Sequence, residues 1–484
     1  MTNEIILIYP KTGFDVKKVS IEVPLSVLSA ASILDKEGYK VKIIDQRIEE
    51  KNWQKKLTQE LKDSPICVGI SSMTGTQIYF GIDAAKIIRK NNPETKIVWG
   101  GIHPTLLPKQ TLESNYVDIV VKGEGEKTFF ELVQNLEKGK SLREINGVAY
   151  KDDGKIIENP NVHDFLNLDK LPELPYHLLD IKNYIKMMNG VFSFQGSRGC
   201  PFKCAFCCNP LLSKGFWRTM SAERIMQEIQ MVHNKYKFKK LKFNDENFFV
   251  NKERVYKIAD AINDAYEWEA QARIDTIDYM DYDRLRKSGL YQIQPGIESG
   301  NQRILNLIRK QLTTEQILNY NRKLAKTGII ATYNFIMGFP SETIEEIKDS
   351  VKFVLKLLDE NPYSELAAFY VFVPYPGTEL FDLSLKYGFI PPNSLAGWGE
   401  FSRQHLETPW IQDKKELLQN LEITSKFVDS RRIARLFKGT FLPRVIPKIL
   451  GNIYRKKWQK ENFKMSFDLR ILKFFIEKKV KISS

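Results

Sequence analysis

Four thiols fall within nine residues of this chain. The stretch reads Cys200-Pro201-Phe202-Lys203-Cys204-Ala205-Phe206-Cys207, a C-x3-C-x2-C spacing followed at once by Cys208; Cys67 is the only other cysteine in 484 residues. Clustered thiolates are ligands for a soft metal centre, an iron–sulfur cluster or zinc. Closed structural zinc needs a second cysteine pair or a histidine pair at helical spacing. The five histidines (His103, His163, His177, His233 and His405) are scattered and form no such pair. A disulfide framework is disfavoured in a long, cysteine-poor chain without a signal-peptide pattern. Three ligands on a short loop leave one metal position open, and an open metal position is where chemistry can occur.

Such a loop needs a scaffold. Six β-rich apolar runs, at 191–195, 241–245, 269–273, 291–298, 329–338 and 366–373, alternate with amphipathic helical stretches such as 221–236 and 314–327. Strand–helix alternation predicts a parallel sheet with right-handed crossovers, and six units suit a partial (β/α)6 barrel. Active sites of such barrels lie at the carboxyl ends of the strands. The cysteine loop follows the first strand. The later strand ends carry Asn244-Asp245-Glu246-Asn247, Arg273, Gly296-Ile297-Glu298, Gly338-Phe339-Pro340 and Pro374-Tyr375-Pro376-Gly377-Thr378.

An earlier unit precedes the barrel. Strand runs at 5–9, 41–45, 67–71, 97–100 and 119–122 alternate with helical segments at 24–37, 79–91 and 126–137. This is a five-stranded, doubly wound, Rossmann-like α/β pattern, whose ligands bind outside the carboxyl ends of the strands. Those ends include Ser71-Ser72-Met73-Thr74-Gly75, Gly100-Gly101-Ile102-His103-Pro104-Thr105 and Gly123-Glu124-Gly125-Glu126. Small residues there let a large ligand approach the backbone.

The residues from Gly196-Ser197-Arg198-Gly199-Cys200 to Cys207 resemble the signature of radical SAM enzymes. The first 140 residues resemble the cobalamin-binding domain fused to some of them. The resemblance implies that Cys200, Cys204 and Cys207 hold a [4Fe–4S] cluster whose fourth iron is chelated by S-adenosylmethionine (SAM). One electron, from a donor such as flavodoxin or ferredoxin, then yields a 5′-deoxyadenosyl radical. It implies that Phe206 shields the cluster, that Asp245, Glu246, Arg273 and Glu298 meet SAM, and that Ser72, Gly100, Gly101, Gly123 and Glu124 meet cobalamin. Cys208 lies outside the pattern and reads as a packing residue.

Methylation of an unactivated carbon is the implied activity. Radical cyclisation or rearrangement is the alternative within the superfamily; a non-catalytic iron–sulfur or SAM-binding sensor is the alternative from another class. One departure matters. Many cobalamin domains carry D-x-H-x-x-G after the first strand, whereas this loop reads Tyr9-Pro10-Lys11-Thr12-Gly13-Phe14-Asp15. Cobalamin is therefore expected without a protein imidazole on cobalt, with His103 an ordinary loop residue. A Rossmann-like module that binds nothing is the plain alternative for this domain.

The expected organisation is a cobalamin domain over 1–140, a linker over 141–189 containing a small hairpin around Asp152-Asp153-Gly154, a barrel over 190–400 and a helical extension over 401–484. Residues 431–484 hold 16 basic and three acidic residues, so they carry +13 of the formal +14 of the chain. Aromatics interleave them: Phe437, Phe441, Trp458, Phe463, Phe467, Phe474 and Phe475. That pattern suits an anionic membrane surface better than nucleic acid, and a lipid or membrane-held substrate is expected from it. No run is long and apolar enough to span a bilayer.

Overall fold

The apolar runs of the first domain become parallel strands in the computed structural model, which describes residues 3–13, 15, 21–49, 52–401, 408–429 and 445–464. They are β1 (Glu4–Tyr9), β2 (Lys40–Asp45), β3 (Cys67–Ser71), β4 (Lys96–Gly100) and β5 (Ile119–Val121). Their near-continuous apolar sequence follows from burial on both faces. The hairpin expected in the linker forms as β6 (Val148–Asp152) and β7 (Lys155–Glu158), turning through Asp153 and Gly154, both at positive φ. It pairs antiparallel with β5, so the sheet has seven strands in the order β2-β1-β3-β4-β5-β6-β7. The hairpin covers an edge that five strands alone would leave open. Residues 148–158 therefore belong to the first sheet, not to a linker.

The second sheet starts with β8 (Val191–Phe194). A two-stranded ribbon follows, β9 (Ser197–Arg198) with β10 (Arg218–Thr219). The remaining strands are β11 (Lys240–Phe243), β12 (Glu267–Ala272), β13 (Leu290–Glu298), β14 (Ile330–Met337) and β15 (Ser364–Val371). The order β15-β14-β13-β12-β11-β8, parallel throughout, is that of an open six-stranded barrel. One face of the first sheet shares a continuous apolar core with the barrel. The other face is covered in part by Leu395 and Trp398, which the chain brings back after the barrel.

Part of the basic extension, residues 445–464, packs on the barrel. Helix Val445–Gln459 packs on helix Ile344–Glu360. Tyr454 and Trp458 are fully buried, Phe463 is buried, and the Trp458 indole donates to Thr424 Oγ1 at 3.1 Å. The Trp458 ring lies 5.8 Å from that of Phe369 on β15. Two aromatics expected to face a membrane are thus barrel core, because an amphipathic helix buries its apolar stripe against the nearest apolar surface. Phe437, Phe441, Phe467, Phe474 and Phe475 lie outside the described residues. No helix among the described residues is long and apolar enough to cross a membrane. Deleting 431–484 is accordingly expected to lower the thermal midpoint sharply, since truncating one buried aromatic costs about 3–5 kcal/mol. Differential scanning calorimetry of the truncated and full chains measures the drop.

Candidate cofactor site

The cysteine loop leaves β9 through Gly199 and is pinned from three sides. Asp245 holds its base: the carboxylate accepts from Gly196 N at 2.8 Å and Ser197 Oγ at 2.5 Å, and pairs with Arg254 at 3.2 Å. Ala205 N donates to Ile308 O at 2.9 Å, and Leu380 N donates to Ala205 O at 3.0 Å. Phe206 is half-buried, its ring 6.4 Å from that of Phe339 beyond β14. Gly199 sits at φ +85, and a Cβ there would strike Phe216 O.

Cys200, Cys204 and Cys207 are electrostatic neighbours of one another. The three do not all come within 4.8 Å of each other. Four thiolates around one tetrahedral zinc lie about 3.8 Å apart, from a Zn–S bond near 2.3 Å. As they stand, the three thiols are not gathered at the spacing of a single zinc ion. Burial pushes the Cys207 thiol up to about 12 and raises that of Cys200, where Arg273 opposes the shift. Thiolates here need a metal or neighbouring cations to form. Cys208 caps helix Asn209–Ser213, and its charged neighbour beyond Cys207 is Glu246.

The strand ends divide into supports and free groups. Asp245 is fully buried with both oxygens engaged, so the geometry makes it the anchor of the loop in place of the expected contact with SAM. Glu246, the next residue, is exposed at its side chain although protein crowds it, and this crowding pushes its carboxyl up to about 7. It is the exposed acid of the pair, with the Gly199 backbone and the Arg198 cation as its neighbours. Arg273 Nη1 lies 3.2 Å from Cys204 Sγ, its guanidinium sits 3.8 Å over the Phe202 ring, and Asp275 and Lys310 O hold its other nitrogens. A cation bonded to a ligand sulfur would favour the thiolate and the reduced state of a cluster. Glu298 is also engaged. It is buried, held at φ +72, and accepts from the equally buried Lys310 at 2.9 Å. Such a left-handed non-glycine residue costs of order 1–3 kcal/mol and is held by its surroundings. Gly296 leaves the room this pair occupies, since a Cβ there would collide with the Glu298 carboxylate. No sequence signal marked Lys310.

A cleft of roughly 870 Å³, mouth included, opens at the carboxyl edge of β1 and β3, where the strand order reverses. It is lined by Gly100, Gly101, Gly123, Glu124 and Gly125 of the first domain and by Gln195 and Arg198 of the barrel. A Cβ on Gly123 would meet nothing within 4 Å, and one on Gly100 would meet only Val121 O at 3.7 Å, so these positions open onto free space. Gly101 is required for another reason: at φ +100 its Cβ would lie 2.6 Å from Ser72 O. The Ser72 hydroxyl is buried without a hydrogen-bond partner. Ser71 borders the cleft and Ser72 does not, so the expected contact of Ser72 with the ligand falls to its neighbour; the open glycine cradle itself fits a large ligand. Glu124 is less free than its loop position suggested. It pairs with Arg218 Nη1 at 3.1 Å and Arg198 Nη1 at 3.6 Å, while Arg198 Nη2 reaches Glu126 at 2.5 Å. Arg198, two residues before Cys200, ties the cluster loop to the rim of the other cleft.

His103 does not border that cleft. It is fully buried, with Nδ1 3.0 Å from Thr74 Oγ1 and its ring 5.6 Å from Trp398, and burial lowers its pKa to about 4. His103→Ala is expected to leave the absorption spectrum of bound cobalamin unchanged. A shift in the cobalt bands would place an imidazole on the metal.

The comparisons agree with this arrangement. Residues 194–354 match the radical SAM superfamily, and residues 16–133 match the B12 binding domain. An uncharacterized methyltransferase of Pyrococcus horikoshii is 34% identical over 388 residues, covering 79% of this chain and 83% of that protein. The anaerobic magnesium-protoporphyrin IX monomethyl ester cyclase of Rubrivivax gelatinosus is 27% identical over 353 residues, 68% of this chain and 61% of that one. The solved structure of the cobalamin-dependent S-adenosylmethionine radical enzyme OxsB, with aqua-cobalamin and S-adenosylmethionine bound, shares the fold. Its TM-score is 0.75 at 19% identity, over 99% of this chain and 75% of that one. The fold and the site define a radical SAM enzyme with a Rossmann-like companion domain. The chain belongs to the cobalamin-dependent, B12-binding group of the radical SAM superfamily, whose cofactors are a [4Fe–4S] cluster, SAM and cobalamin.

Proposed function

We propose that this enzyme methylates an unactivated carbon. The observation that carries the reading is the Arg198 bridge, which joins the cysteine loop to the glycine cradle through Glu124 and Glu126. A sensor has no need to hold two cofactor regions face to face; an enzyme using both at once does. When bound, the cluster would supply an electron for SAM cleavage and cobalamin would carry the methyl group. The chain's own residues set the stage. Cys200, Cys204 and Cys207 would hold the cluster, and Arg273 would stabilise the charge on its sulfur ligands. Glu246 would receive the SAM ammonium. Phe206 would keep water from the reacting sulfonium, and Gly100, Gly101 and Gly123 would let the corrin approach the backbone. Asp245 and Arg198 position the loop. A flavodoxin or ferredoxin would serve as the electron donor.

The test is anaerobic reconstitution with iron, sulfide, cobalamin and SAM, followed by product analysis. A methyltransferase should release 5′-deoxyadenosine under reductant and also form about one S-adenosylhomocysteine per reduced cobalamin, before any substrate is added. A cyclase, the reaction named for the Rubrivivax relative, should release 5′-deoxyadenosine alone. A sensor should release neither.

A further inference from the structure

Beneath the strand ends, four neighbouring strands bring a carboxamide to one level of the barrel. Phe194, Phe243 and Ala270 are cross-strand partners, so the residues that follow them, Gln195, Asn244 and Gln271, share a level, and Gln271 pairs directly with Gln294. Side chains alternate along a strand. Phe194, Phe243, Ala270 and Ile293 are buried on the face that packs against the helices, which turns the four amides to the concave face. Gln271 is exposed there, and Gln195 and Gln294 are half-buried. None of these three glutamines has a side-chain hydrogen bond within the described protein; Asn244 donates to Glu22.

The layer below is closed. Lys242 pairs with Glu22 of the first domain at 2.5 Å, and Glu269 accepts from the Tyr291 hydroxyl at 2.9 Å. Its cation is therefore engaged, and the four residues above it are neutral amides; the same level continues on β14 and β15 through Thr332 and the buried Glu365, which adds no cation. An anionic group seated at this level finds no free charge. An alkyl chain seated there removes water from three amides and replaces none of their bonds.

We propose that the substrate group entering the barrel is uncharged and carries hydrogen-bond donors and acceptors side by side, the chemistry of an amide or a neutral nitrogen heterocycle, recognised by Gln195, Gln271 and Gln294. This rests on the methyltransferase reading. Gln195 also borders the cleft of the first domain, which sets such a group between the two cofactor regions. Adenosine of SAM and the amide arms of a corrin share this chemistry, so the test separates them from substrate.

The probes are nicotinamide, its isosteric anion nicotinate, and decanol, each added to reconstituted holoenzyme and followed by saturation-transfer NMR. Nicotinamide should bind and the other two should not. Q271L/Q294L should weaken nicotinamide binding at least about tenfold, the equivalent of one lost hydrogen bond, while SAM and cobalamin affinities stay within about twofold and show the variant folded. The proposal is overturned if nicotinamide does not bind, if nicotinate or decanol binds as well, or if the variant keeps nicotinamide. It is equally overturned if the variant loses SAM or cobalamin tenfold, which would assign the amides to a cofactor. Glutamine-dependent nicotinamide binding without S-adenosylhomocysteine formation would sink the methyltransferase reading and leave the amide site standing.

Discussion

Alanine at Cys200, Cys204 or Cys207 is expected to abolish the iron–sulfur chromophore, about four irons per chain, and with it all 5′-deoxyadenosine formation. Cys208→Ala should retain both. The argument begins with spacing and ends with placement. The three thiols lie on one loop, pinned through Asp245, Ile308 and Leu380, and they are mutual electrostatic neighbours. Arg273 addresses the same loop at Cys204 Sγ. Cys208 begins a short helix and has Glu246 for a charged neighbour. Three ligands leave no redundancy, so one deletion releases the cluster. Iron analysis and anaerobic absorption spectra decide the matter. Equal iron loss in all four variants would sink the ligand assignment.

Asp245→Ala should cost about 3–5 kcal/mol of stability, because it strands the buried Arg254 guanidinium and frees Gly196 N and Ser197 Oγ. The base of the cysteine loop should loosen, and iron content should fall along with the urea midpoint. Replacing both partners, as in D245L/R254M, removes the stranded charge and should recover a good part of the stability, although the loop stays unanchored. Were Asp245 a contact of SAM, Asp245→Ala would weaken SAM binding and leave the urea midpoint in place. Denaturation curves and SAM titrations of the same three proteins distinguish the roles.

Much of the scaffold was legible in the linear chain. The five parallel strands of the first sheet announce themselves by apolar runs, since a strand buried on both faces has little room for polar side chains, and the six of the barrel by apolar residues alternating with polar ones that face its concave side. The cysteine spacing was legible because its ligands come from one loop. The hairpin at 148–158 was legible as a hairpin from Asp153-Gly154, but its membership of the first sheet was not, because pairing with β5 is a long-range choice. The described part of the basic extension was not legible for a related reason. Tyr454 and Trp458 form an amphipathic stripe that suits a membrane or a barrel equally, and the stripe does not state which surface is nearer.

The sequence by itself determined the class of chemistry, the two α/β units and the absence of an imidazole from the first-strand loop, since all three are written in local residue types and spacings. Tertiary structure alone decided which strand-end charges are free. Asp245 and Glu246 are adjacent and chemically alike, yet one is locked by Arg254 and the cysteine loop while the other is exposed. Glu298 and Lys310 find each other across a bulge, and Arg198 finds Glu124 and Glu126 across a domain boundary. A charge is neutralised by whatever lies within a few ångströms, and that distance is set by packing between elements far apart in the chain.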